Sequence, residues 1–180
     1  YKSEKLIVIY QSTNKVKINL NKKKNWIIFV GKLNRAKGYD LFGNAVLKIL
    51  NKFPNWKAIA IGDEPREKLI FTHKNLKKLG FLKHEKVLDI FTKTSIAVAC
   101  SRWNEPLGRT GLEASSRGCA VIISNRGGLP ETITNGIIIN RLNELNVYNS
   151  IKKLIENSKY RRILQKLSIK NFMHTHKNIV

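Results

Sequence analysis

From Trp26 onward the chain alternates short apolar runs with stretches of helical spacing. The runs at 26–30, 57–61, 76–79, 96–99, 120–124 and 136–139 are four or five residues long and, apart from Leu76-Lys77-Lys78-Leu79, continuous rather than alternating. That pattern predicts strands buried on both faces. Apolar positions three and four apart predict helices over 39–53, 64–74, 84–92 and 109–117, with a short turn near 129–134. Two more helices, 142–157 and 159–174, follow the last strand. Strand, crossover helix, strand, repeated, predicts an α/β fold: a Rossmann-like doubly wound parallel sheet of about six strands with helices on both faces. In such a sheet ligands bind beyond the carboxyl ends of the strands, in the loops that lead into helices.

The 180 residues allow about one domain, large enough to own a core. Thirty-four Lys plus Arg stand against 12 Asp plus Glu, a formal net charge of +22. The cations are 25 Lys and 9 Arg, thinly spread apart from Lys22-Lys23-Lys24. This charge predicts attraction to anions, whether phosphate ligands or an anionic membrane surface. No interleaved aromatic stripe or RNA-binding signature accompanies it, so no nucleic-acid partner is expected. No apolar run reaches the ~18 residues of a spanning helix. Leu6 to Tyr10 is too short for a signal-peptide core. Residues 1–25 read as a linker or edge strand, and the absence of an initiator Met suggests part of a longer protein. Cys100 and Cys119, 19 apart in apolar surroundings, exclude a zinc ribbon and predict buried reduced thiols in a cytoplasmic compartment.

Three strand-to-helix loops carry chemistry suited to anions. After the first strand, Gly31 and Gly38 bracket Lys32, Arg35 and Lys37 ahead of a helix, an arrangement that also fits a plain surface loop. After the fourth strand, Glu105 sits in a loop, Gly108 allows close backbone approach, and Glu113 falls in the next helix. With nine Glu in the chain the eight-residue spacing is uninformative alone, and Glu113 also fits a macrodipole partner. After the fifth strand, Gly127-Gly128 precede Leu129-Pro130-Glu131, which suits either an anion cradle or a tight turn. Nucleotide fingerprints of the G-x-G-x-x-G and G-x-x-x-x-G-K types are missing, and the three Asp residues are far apart, which excludes an Asp-rich metal centre.

Taken in order, Gly31-Lys32-Leu33 to Lys37-Gly38, Leu79-Gly80-Phe81-Leu82, Ser101 through Glu105-Pro106-Leu107-Gly108 to Leu112-Glu113-Ala114, and Gly127-Gly128-Leu129-Pro130-Glu131 form one pattern. It resembles the C-terminal, donor-binding domain of retaining GT-B glycosyltransferases, the glycosyl transferases group 1 or family-4 type, and spans about 26–175. The resemblance implies that 26–175 bind a nucleotide-sugar, that 1–25 lead in from an N-terminal half, and that 176–180 are a tail. It implies transfer of a sugar from a UDP- or GDP-linked donor, with retention and without a metal or other cofactor. The acceptor would be a glycan or lipid-linked molecule held by the N-terminal half. Localisation would be cytoplasmic or peripheral at the inner membrane face. Lys32 and Lys37 would hold the diphosphate, and Gly31, Leu107, Gly108, Arg109, Gly127 and Gly128 would approach the ligand, with backbone N–H groups at 107–109 reaching sugar and phosphate. Glu105 would contact the sugar, Glu113 the ribose, and Gly80, Phe81 and Leu82 would flank the base. Ser101 and Leu107, where the family usually has Pro and Phe, are expected to be tolerated. A sugar-nucleotide epimerase or phosphorylase of the same architecture, or a non-catalytic basic binding module, remains an alternative.

Overall fold

The computed structural model describes residues 11–14 and 16–175; the apolar run Leu6 to Tyr10 lies outside them. Six strands, β1 (Lys24–Val30), β2 (Lys57–Ile61), β3 (Leu76–Lys78), β4 (Thr94–Ala99), β5 (Ala120–Ser124) and β6 (Ile137–Ile139), form one sheet in the order β3-β2-β1-β4-β5-β6. Every neighbouring pair is parallel. Five helices accompany them: α1 (Tyr39–Lys52), α2 (His84–Lys93), α3 (Arg109–Ser116), α4 (Glu144–Glu156) and α5 (Ser158–Lys170).

The unbroken apolar runs are explained by what covers each face. Ile27, Phe29, Ala58, Ala60, Ile96, Val98 and Ile122 pack against Phe42 and Ile49 of α1 and Val147, Ile151 and Leu154 of α4. The alternate positions Ile28, Ile59, Ile61, Ala97, Val121 and Ile123 pack against Val87 and Phe91 of α2 and Ala114 of α3. Each such Ile or Phe stabilises the fold by roughly 1.5–3 kcal/mol through removal from water. Polar residues in the strands are accommodated locally: Lys77 and Lys78 of the edge strand β3 are exposed rather than covered on both faces, and the buried hydroxyls of Thr94, Ser95 and Ser124 each donate to a backbone carbonyl.

One expected helix is absent. Residues 64–74 form turns and then an extended segment in which Glu67, Leu69, Phe71 and His73 are half-buried and their neighbours exposed. That is a period of two, not 3.6. Phe71 meets the ring of Tyr39 edge-on at 5.4 Å and lies over Gly43 of α1. The aromatic contact holds the crossover flat against α1, where a helix would have no room to stand. The final helix also ends earlier than its spacing suggested, because Asn171 caps it with its N–H on the Leu167 carbonyl.

At the opposite edge, the amino ends of β4 and β5 are closed by α5. Gln165 Nε2 donates to the Ser95 carbonyl at 3.0 Å, and Arg162 donates to the Leu20 carbonyl. The Lys22-Lys23-Lys24 triplet divides into separate tasks here. Lys23 Nζ donates to the carbonyls of Phe91 (2.9 Å) and Arg117 (2.6 Å), a cation at the C-terminal ends of α2 and α3. Burial lowers its pKa. Lys24 opens β1, two residues before the expected start, and stacks over Trp26 at 4.7 Å. The described ends of the chain meet nearby, where the Thr13 N–H donates to the His174 carbonyl at 3.0 Å.

Candidate functional site

Connections leave the sheet in opposite directions on either side of β1 and β4, which makes the crevice between their carboxyl ends the topological switch point. A cleft of about 100 Å³ opens there, lined by Gly31, Lys37, Ser101, Glu105, Gly108 and Arg109 among others. The first and second of the anion-suited loops therefore meet at one place, with the N-termini of α1 and α3 beside them. The orphan N–H groups of those first turns and their partial positive charge favour an anion.

Lys37 and Glu105 form an ion pair across this cleft, and the Glu105 side chain is only 11% exposed. Lys37 is placed by a tight loop. Its own N–H donates to Asn34 Oδ1 (3.0 Å), and the Tyr39 N–H donates to the Asn34 carbonyl. The next residue, Gly38, has φ +77° and sits so close to the Cys100 backbone that any Cβ would collide with its carbonyl oxygen. Only glycine lets the loop enter α1 against β4.

The loop bearing Glu105 is fastened to the first loop by Arg102. Its guanidinium grips Asp40 with two 2.7 Å hydrogen bonds and donates to the Arg35 carbonyl, while its N–H donates to the Ala36 carbonyl. Burial would raise the Asp40 pKa, but the Arg102 hydrogen bonds and charge outweigh it and hold the carboxyl below its ordinary value. The Ser101 hydroxyl lies 3.2 Å from both the Ala36 and the Trp103 carbonyls, and its single proton is shared between the two loops.

Gly127 and Gly128 perform a different task from the expected ligand approach. The Gly128 N–H donates to the Glu105 carbonyl at 2.7 Å, and side chains at either position would strike the backbone of 104–107. The pair brings two stretches of protein backbone together, and so sets the height of Glu105 and Leu107. Leu107 itself is half-buried beside it. Lys32 is exposed and outside the cleft lining, because the chain turns away from the cleft as it leaves β1. Gly80 accepts the Gly62 N–H, Phe81 is 85% exposed, and Leu82 packs on the α2 side of the core.

Glu113 is buried next to the cleft, and its Oε1 accepts from His84 Nε2 (2.9 Å) and Arg109 Nε (3.0 Å). His84 carries no sequence signal, because the partner lies 29 residues away on another helix. Glu64 was also missed. Its carboxylate accepts from Arg66 Nε and Nη2 and from Asn34 Nδ2, bonds that lower its pKa to about 2, the Arg66 hydrogen bonds being the largest cause. It braces the Lys37 loop from β2. Among the described residues no three His, Cys, Asp or Glu side chains gather into a metal-sized group. No helix among them is long and apolar enough to cross a membrane.

Comparison with known proteins agrees with this geometry. Spore coat protein SA of Bacillus subtilis (strain 168) is 32% identical over 162 residues, which cover 81% of this chain and 43% of that protein. This chain thus spans less than half the length of that relative. The C-terminal domain of LpcC, a glycosyl transferase group 1 family protein of Francisella tularensis, superposes with a TM-score of 0.71 at 24% identity, covering 91% of this chain and 93% of that one. Anabaena Alr3699/HepE, solved in complex with UDP-glucose, gives 0.67 at 20% identity over 83% of this chain and 45% of that one. The model of the family described as glycosyl transferases group 1 matches residues 11–170. With its six-stranded Rossmann-like sheet and paired loops at the switch point, the chain belongs to the glycosyl transferases group 1 family and has the architecture of the C-terminal half of a GT-B fold.

Proposed function

We propose that this domain binds the nucleoside-diphosphate part of a nucleotide-sugar, UDP- or GDP-linked, for a metal-independent retaining transfer to a glycan or lipid-linked acceptor. The observation that carries this is the Lys37–Glu105 pair at the switch-point cleft, flanked by the first turns of α1 and α3. A departing diphosphate gathers negative charge, and a lysine with two helix N-termini can meet that charge without a metal ion. Lys32, exposed on a mobile four-carbon stem, adds a second cation at long range rather than a fixed contact. Glu105 then faces the sugar, and Glu113 the ribose. The acceptor and the remaining catalytic group come from an N-terminal half, so the domain alone holds donor without transferring it. Titration of UDP, GDP and ADP by calorimetry, with and without EDTA, tests the reading. One nucleotide should bind tightest and unaffected by EDTA; loss of binding in EDTA, or no binding at all, refutes it.

The opposite edge supports peripheral contact with an anionic membrane. Two adjoining hollows there are lined by the exposed Lys17, Lys159 and Lys166 and the half-buried Lys23, Arg161 and Arg162, with no carboxylate among the described residues that line them. Each exposed cation near such a surface contributes about 1 kcal/mol. Co-sedimentation with phosphatidylglycerol vesicles but not phosphatidylcholine vesicles is the expected result, and equal sedimentation with both removes this contact.

A further inference from the structure

We infer that His84 is a positioning residue for Glu113, holding one carboxylate oxygen so that the other is left to accept from the ribose hydroxyls of a bound nucleotide. This rests on the donor-binding reading and extends it to a residue on a different helix.

The geometry is specific. His84 Nε2 lies 2.9 Å and Arg109 Nε 3.0 Å from the same atom, Glu113 Oε1. Among the described residues the hydrogen bonds to this carboxylate all fall on Oε1, although a carboxylate offers about four acceptor sites. With the carboxylate as acceptor, Nε2 carries the proton, so the contact also selects the ring tautomer. The two holders are not equivalent. Both side chains are about half exposed, His84 54% and Arg109 55%, but Arg109 reaches Glu113 from one turn earlier on α3 through a long, flexible stem. His84 has only two side-chain torsions, and its backbone opens α2, which is anchored to the core by Val87 and Phe91. His84 therefore sets the carboxylate's orientation and Arg109 adds charge.

The placement has a second consequence. His84 follows Gly80-Phe81-Leu82 by two residues, so the segment proposed to flank the base also holds the acid proposed to bind the ribose. Movement of that loop reaches Glu113 through a single hydrogen bond.

The test is calorimetric titration of the chain with UDP, GDP, ADP and pyrophosphate, comparing wild type, His84→Ala, His84→Gln, Glu113→Ala and the double variant His84→Ala/Glu113→Ala. His84→Ala should weaken the tightest nucleotide about 3- to 10-fold, as loss of an orienting hydrogen bond does, and leave pyrophosphate unchanged. His84→Gln, whose amide N–H stands near the place of Nε2, should restore most of the affinity. The double variant should be no weaker than Glu113→Ala, since both changes remove one interaction. Equal losses for nucleotide and pyrophosphate, no rescue by Gln, or additive losses would overturn the assignment to His84. If wild type binds no nucleotide more tightly than pyrophosphate, the donor-binding reading itself fails and this inference falls with it.

Discussion

Lys37 is paired with Glu105, so a diphosphate at this cleft competes with Glu105 for the lysine. Glu105→Gln keeps the shape and removes the competing charge. We expect its affinity for pyrophosphate to rise about 3- to 10-fold, equivalent to about 0.7–1.4 kcal/mol, the scale of a partly exposed charge pair. Unchanged affinity in a titration would mean that the anion sits elsewhere. Glu64 supports a prediction with a pH sign. Its folded pKa of about 2 lies below the unfolded value of 4.5. Its stabilisation is therefore complete above 4.5 and is lost as the pH falls from there toward 2. Glu64→Gln should melt lower than wild type at pH 7 and close to it at pH 2.5; a constant gap across that range would refute the assignment. The sequence made Lys37, Glu105 and Glu113 visible because each follows a strand, the first two in the loop and Glu113 in the helix it enters. It could not separate Lys37 from Lys32, since that depends on how the backbone leaves β1. His84 and Glu64 act through partners that only the tertiary fold brings near.

The strands were legible because apolar positions on both faces leave one architecture open to them. The expected helix over 64–74 fails because Leu69 and Phe71, two apart, lie on one face of an extended segment and not of a helix, and Phe71 packs on the ring of Tyr39. The Gly127-Gly128 pair was read as a ligand cradle because glycine signals close approach without saying to what. Gly38 gives the clearest test at this scale. Replacing it with Ala imposes a left-handed φ on a residue with a Cβ and drives that Cβ into the Cys100 carbonyl. A loss of about 3 kcal/mol, or roughly 6–12 °C in Tm for a chain of this size, is expected. A melting temperature within a degree of wild type would show that α1 can shift away from β4.

Across the whole molecule, charge is distributed unevenly. Carboxylates such as Asp40, Glu64, Glu67 and Glu105 are paired with cations around the cleft edge. Among the described residues that line the hollows at the opposite edge, every charged one is a cation. Repulsion among those cations should ease as salt shortens the Debye length from about 30 Å at 0.01 M to about 8 Å at 0.15 M. Tm should therefore rise over that range, and a fall would mean that the surface ion pairs outweigh the repulsion. The meeting of Thr13 with His174 at that same edge bears on how the module can be rearranged. The path of the backbone enters and leaves side by side, so it is nearly a closed ring. A short Gly-Ser bridge from 175 to 12, with new ends cut at the exposed turn after Phe81, would give a circular permutant that keeps every strand pairing.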